Sequence, residues 1–189
     1  MNGDNRSVRS HIKNDILEWC ESFLFAFLIV TLLFIFLIRQ VRVDGSSMEN
    51  TLHNDERLIL SHLNYEPEHD DIVVIYSEPC GDELIVKRVI GVEGDKVVVD
   101  YNEDRVYVNG EEISNEHNKE IMDERSYFDR SCMIADGVYE YEVPENCIFV
   151  MGDNRNASYD SRSIGFIDKD TVWGKPLFRF YPLDKFGTV

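Results

Sequence analysis

A mainly β domain behind one N-terminal transmembrane helix is the fold class this sequence predicts. Three observations predict it. One uncharged apolar run, Phe23 to Ile38, stands near the start of the chain. Beyond it, apolar residues recur with a period of two in many short stretches. Turns rich in Gly, Asn and Asp separate those stretches, as they do between the short strands of an all-β core.

Residues 1–11 are polar, and the pattern becomes helix-compatible from Ile12. The apolar run of residues 23–38 covers about 24 Å as a helix, somewhat short of a ~30 Å hydrocarbon core. Trp19 and Cys20 extend the apolar character backward and Val41 extends it forward, while Arg39 and Arg42 can snorkel to the interface. A cleaved leader would need a small-residue site after the run, yet Arg39-Gln40-Val41-Arg42 follows. A buried core helix is rarely apolar on every face. A single membrane span fits best. Its orientation is poorly marked, because Arg6, Arg9 and Lys13 precede it and Arg39 and Arg42 follow it.

Val41 and Val43 alternate with polar neighbours and predict a short strand. Arg57–Leu60 predicts a second. Asp71–Tyr76 is a third, apolar enough for burial on both faces, and Glu83–Ile90 a fourth, ended by Gly91 and the Gly94-Asp95 turn. Lys96–Asp100 and Arg105–Val108 predict a hairpin, followed by the Asn109-Gly110 turn. Residues 111–142 are polar, acidic and without clear period, and predict an inserted loop or small subdomain. Strand character returns at Cys147–Met151, and Thr171–Gly174 and Phe178–Tyr181 predict closing strands.

The formal charge is -17, from 36 acidic and 19 basic residues. Before residue 39 there are four acids and three bases, so 32 acids and 16 bases fall in the downstream domain. Such a domain lacks the Lys/Arg surplus that replaces phosphate counterions, which excludes nucleic acid as a natural partner. The four cysteines, Cys20, Cys80, Cys132 and Cys147, contain no C-x-x-C pair and no zinc spacing. A disulfide among the last three stays open.

Three stretches can carry chemistry. The first is Asp44-Gly45-Ser46-Ser47-Met48, just after the apolar run. A serine hydroxyl needs a base to take its proton. The histidines, His11, His53, His62, His69 and His117, sit in no triad motif, and no G-x-S-x-G elbow exists. Lysine can serve if desolvation keeps it neutral. Period-2 alternation puts Lys87 on one strand face with Ile85 and Val89, in the second stretch. The third is Gly152-Asp153-Asn154-Arg155 through Arg162, which mixes turn formers with an acid and two arginines. Each stretch also has a bland reading. Serines after Gly make turns or caps. A strand lysine can guard a sheet edge. The third stretch can be a surface loop held by Asp–Arg pairs.

Taken together and in this order, the three stretches closely resemble bacterial type I signal peptidases. The resemblance rests on Gly45-x-Ser47-Met48 with Thr51-Leu52, on Lys87-Arg88-Val89-Ile90-Gly91 with Gly94-Asp95, and on Gly152-Asp153-Asn154-Arg155 with Ser158, Asp160, Ser161, Arg162 and Gly165. It extends over nearly all of the chain beyond residue 20. It implies Ser47 as nucleophile and Lys87 as general base. It implies that Ser158 hydrogen-bonds and orients the lysine amine, and that Asp160 and Arg162 hold the site together. The Ser47 backbone amide would donate to the oxyanion, with a second donor not identified.

The same resemblance implies a signal-peptidase-like β-barrel or sandwich core. Residues 1–22 would be a cytoplasmic segment, 23–38 the membrane helix, and 39–189 an extracytoplasmic catalytic domain with a small subdomain inserted at about 100–145. It further implies a monomer in the cell membrane that needs no cofactor or metal. Its substrates would be exported preproteins with signal peptides, carrying small residues at -1 and -3. Lysine at 87 is the bacterial type; the endoplasmic-reticulum type usually has histidine there. Two departures stand out. Asn50 replaces a common Pro, which affects local stiffness, and Gly45 stands where some members carry a serine oxyanion donor. A general enzyme and one dedicated to few clients both fit. A membrane-tethered β module without catalysis and a self-cleaving serine–lysine protease are the alternatives. The second is disfavoured by the apolar run and the absence of an N-terminal DNA-binding pattern.

Overall fold

The computed structural model describes residues 17–32, 39–61, 65–113, 121–122 and 129–189. The chain divides into two units, residues 1–39 and 40–189. In the first, residues 17–32 form helix α1. Its large apolar side chains, Trp19, Phe23, Phe25, Phe27 and Ile29 among them, are exposed. This helix lies within the stretch read as helix-compatible from Ile12, and residues 33–38 of the expected span lie outside the described residues. No helix among the described residues is long and apolar enough to cross a membrane.

The described strands lie in two sheets, and the pairings among β2–β13 are antiparallel. The larger has the order β1-β2-β12-β3-β4-β10-β11, with β13 beside β12. Its strands are β1 (Arg39–Arg42), β2 (Arg57–Ser61), β3 (Ile72–Ser77), β4 (Glu83–Gly91), β10 (Cys147–Met151), β11 (Ile167–Asp168), β12 (Val172–Tyr181) and β13 (Gly187–Thr188). The smaller has the order β7-β6-β5-β9-β8, from β5 (Lys96–Asp100), β6 (Arg105–Val108), β7 (Glu111–Glu112), β8 (Met133–Ala135) and β9 (Val138–Glu142). The mainly β class is therefore the observed one.

The predicted strands 71–76 and 83–90 appear as β3 and β4, and Val73, Val74 and Ile75 are fully buried, as a strand covered on both faces must be. Lys96–Asp100 and Arg105–Val108 pair as predicted. The polar stretch 111–142, expected as an inserted loop or small subdomain, carries β7, β8 and β9, and Tyr139 and Tyr141 of β9 alternate inward with exposed or half-buried acids between and beyond them. One expectation is corrected. The two closing strands are one, β12. Gly174 (φ 147) sits at one register shift and Pro176 at another, where a residue without an N–H interrupts no regular ladder. All four cysteines are free.

Three apolar clusters hold these elements. Val43, Met48, Leu52, Leu58, Leu60, Ile72, Val74 and Val86 form one, which roots the loop between β1 and β2. Val73, Ile75, Val89, Ile148, Val150 and Ile167 form the second. The third is the core of the smaller sheet, and Ile90, Phe149 and Met151 of the larger sheet complete it. Burial of each large aliphatic side chain contributes about 1.5–3 kcal/mol.

Candidate active site

Ser47 sits half-buried between exposed Ser46 and fully buried Met48. The loop that carries it is closed by Val43 N donating to Glu56 O (2.8 Å) and Asp55 N to Val43 O (2.9 Å). Met48 and Leu52 pin its middle to the core, with Leu52 N donating to Met48 O at 2.8 Å. Gly45 takes the left-handed conformation (φ 89), and its N–H donates to Asn54 Oδ1 at 3.0 Å. Asn50 has φ 88, a conformation closed to proline.

Sequence reasoning gave no role to Glu56. Its buried carboxylate accepts from Arg179 Nη1 of β12 (2.8 Å) and Lys185 Nζ (3.2 Å). The serine loop is thereby tied to the C-terminal strand and turn.

Lys87 lies on β4, which runs between β3 and β10, so the sheet-edge reading does not apply. Its cross-strand neighbour is Val73, fully buried. Lys87 is 3% exposed, and its Nζ lies 2.7 Å from Ser47 Oγ. Burial holds the amine below the ordinary lysine pKa; the negative charge of Asp160 pulls it back, and Arg162 pushes it further down. The Ser47 N–H donates to no acceptor among the described residues. It is free to meet a developing oxyanion.

The loop after β10 closes the site from behind. Asn154 N donates to Ser47 O at 3.0 Å. Asp160 (0% exposed) and Arg162 (1%) form a two-pronged pair, Nε to Oδ1 and Nη2 to Oδ2, both 2.9 Å. The Gly152 amide adds a third donor to Asp160 at 3.0 Å. Burial opposes ionisation of Asp160, but the charge and hydrogen bonds of Arg162 outweigh it and hold the carboxyl below its usual range. Asp160 also caps the short helix α2 (Ser161–Ile164), and Arg162 Nη2 reaches Arg155 O at 2.5 Å.

Ser158 departs from expectation. Lys87 Nζ bonds to Ser47, and the buried Ser158 hydroxyl makes no well-formed hydrogen bond among the described residues, though it stands near enough to Asp160 to favour the ionised carboxylate. It packs instead on the bare Cα of Gly152. A Cβ there would come within 2.3 Å of Ser158 Oγ and 2.5 Å of Ser47 O. Gly152→Ala should therefore displace the Ser47 carbonyl or Ser158. The expected outcome is a stability loss of about 1–3 kcal/mol and a larger proportional loss of kcat, read by thermal unfolding and peptide cleavage.

A second network was missed because its members are far apart in sequence. Arg88, next to Lys87, grips Asp153 with Nε and Nη2, both 2.8 Å, and Asp153 Oδ2 accepts from Thr51 Oγ1 at 2.5 Å. Arg88 Nη1 also reaches Asp70 O at 2.8 Å. This joins the serine loop, the lysine strand and the loop after β10. Among the described residues no His/Cys/Asp/Glu cluster is arranged to hold a metal ion.

This arrangement brings a hydroxyl, a desolvated amine and an unpaired N–H together, which is equipment for acyl transfer. Comparison with known proteins points the same way. Residues 16–181 match the family described as signal peptidase, peptidase S26. A signal peptidase IB of Staphylococcus aureus (strain COL) is 34% identical over 184 residues, covering 93% of this chain and 94% of its own. A signal peptidase I of Bacillus licheniformis is 36% identical over 180 residues, covering 92% of each. A solved signal peptidase I from Enterococcus faecalis V583 covers 59% of this chain and 97% of its own, with 28% identity and a TM-score of 0.45. With a match this long and relatives above 30% identity across nine-tenths of both chains, the protein belongs to the signal peptidase family, peptidase S26, in its bacterial type I branch.

Proposed function

We propose that this chain is a serine endopeptidase that removes signal peptides from exported preproteins with a Ser47–Lys87 dyad. The observation that carries the reading is the 2.7 Å contact between Ser47 Oγ and an amine that is 3% exposed. Neutral Lys87 takes the Ser47 proton as Oγ attacks the scissile carbonyl carbon. The negative oxygen meets the Ser47 N–H. Collapse breaks the C–N bond, and the ammonium of Lys87 returns its proton to the leaving amine. Water, deprotonated by the same amine, then hydrolyses the ester and frees Ser47. Asp160 and Arg162 hold the loop behind the dyad, and Ser158 packs beside it.

Residues 1–22 are read as cytoplasmic, 23–38 as the membrane span and 39–189 as the extracytoplasmic catalytic domain, with an inserted subdomain at about 100–145. Support for the span is the uncharged run of residues 23–38 and the apolar side chains that α1 exposes. Membrane attachment raises the effective concentration toward membrane-held substrates. The substrate lies extended and pairs its main chain with a strand edge, so that shallow pockets read small side chains at -1 and -3. The enzyme acts as a monomer.

Incubation of the purified chain with a signal-sequence-bearing preprotein tests this reading. Cleavage in trans, absent in Ser47→Ala, is the expected result. Binding without cleavage would make the chain an inactive envelope module instead. In the same assay kcat/KM should rise with pH through the depressed pKa of Lys87, because the neutral amine is the active form.

A further inference from the structure

Outside the dyad, a cavity of about 620 Å³ lies where β4, β6 and β7 approach the loop carrying Arg155. Two guanidiniums line it, those of Arg88 (6% exposed) and Arg155 (3% exposed). Their charges are answered very differently. Arg88 is held by Asp153 and Asp70. Other ionisable side chains on the wall are paired too: His69 with Asp95 at 2.6 Å, and Glu112 with Arg105 at 3.3 Å. Glu111 stands exposed at the rim.

Arg155 has no carboxylate hydrogen bond among the described residues. Its Nε donates to Gly152 O at 3.1 Å, and Nη1 faces the Met122 sulfur at 3.9 Å. A guanidinium carries five N–H donors, so most of its capacity is unused. Burial, and then the neighbouring charge of Arg162, push its pKa down to about 10. It still carries its charge at neutral pH. Asp160, Asp153 and Asp104 favour that charge through space, without a hydrogen bond to it. Unused N–H donors on a buried cation are costly, and a bound ion is one standard remedy.

We propose that this cavity binds one small oxyanion on the unused N–H groups of Arg155. The anion supplies acceptors for N–H groups that the carboxylates of Asp160, Asp153 and Asp104 do not reach by hydrogen bond. It also braces the loop behind the dyad, because Arg155 holds Gly152 O through Nε and accepts from Arg162 through its own carbonyl. This site does not depend on the peptidase reading.

Thermal unfolding of the full chain in detergent micelles tests the proposal, with inorganic phosphate titrated against sodium chloride at matched ionic strength. Phosphate should raise Tm saturably and chloride should not. Arg155→Gln should abolish the phosphate-specific rise. Glu111→Gln, at the exposed rim, should tighten apparent phosphate affinity by about twofold or more at low salt. Identical phosphate and chloride curves would overturn the proposal, as would a rise that survives in Arg155→Gln. Should Arg155→Gln not fold, an unchanged phosphate affinity in Glu111→Gln decides against it.

Discussion

Lys87→Ala should lower kcat/KM for preprotein cleavage by at least about 10³-fold. A positioned general base is worth about 10²–10⁴, and a base and nucleophile that act as one unit fail together. Ser47→Ala should therefore cost about as much as Lys87→Ala, and the double variant little more. Loss of fold is not the expected cause. Lys87→Met keeps the apolar stem and deletes only the amine. Because burial depresses the Lys87 pKa, the unfolded chain takes up the proton first as pH falls. Stability from this group thus rises with pH between its folded pKa and the ordinary ~10.4, and is lowest below both. Lys87→Met lacks that penalty. It should be at least as stable as wild type at neutral pH by thermal unfolding, and inactive. A variant that keeps both fold and full activity would remove Lys87 from the chemistry.

Asp160→Asn should destabilise the protein by about 3–5 kcal/mol in denaturant titration. The substitution strands Arg162, 1% exposed, without its anion. Removing both charges with a well-packed apolar pair should cost less than either single change, since desolvation of the two ions is then avoided. The pH dependence follows from the depressed carboxyl of Asp160. Its contribution is fully present above the unfolded value of about 3.9 and is lost as pH falls toward the folded pKa. The acid limb of wild-type stability should therefore flatten in Asp160→Asn. An unchanged limb would show that the pair adds nothing beyond its shape.

How far the sequence reached depended on the range of the signal. The apolar run Asp71–Tyr76 and the strand pattern of Glu83–Ile90 are local signals, and both strands formed within a residue of the predicted bounds. Lys87 was ambiguous from its own strand. Only the pairing of β4 with β3 and β10, a tertiary fact, buries it. Arg88 and Asp153 are 65 residues apart, so no local pattern announces their two-pronged contact. The turn formers Gly174 and Pro176 signalled a break, but register shifts absorb both inside one strand. The direction of the Ser158 hydroxyl is equally illegible in sequence, because it depends on how closely Gly152 lets Ser158 approach. Arg155 belonged to the recognised motif, yet its unused N–H groups become visible only with the cavity beside them.

The proposed chemistry needs Lys87 to be an amine whose pKa burial holds below the ordinary lysine value, beside Ser47. Lysine-labelled full chain in detergent micelles, followed by ¹³Cε chemical shift against pH, measures this directly, with Lys87→Arg assigning the signal. Lys87 should titrate clearly below the ordinary lysine value of about 10.4. Titration at or above that value would mean a protonated amine at working pH, and the dyad could not act as described.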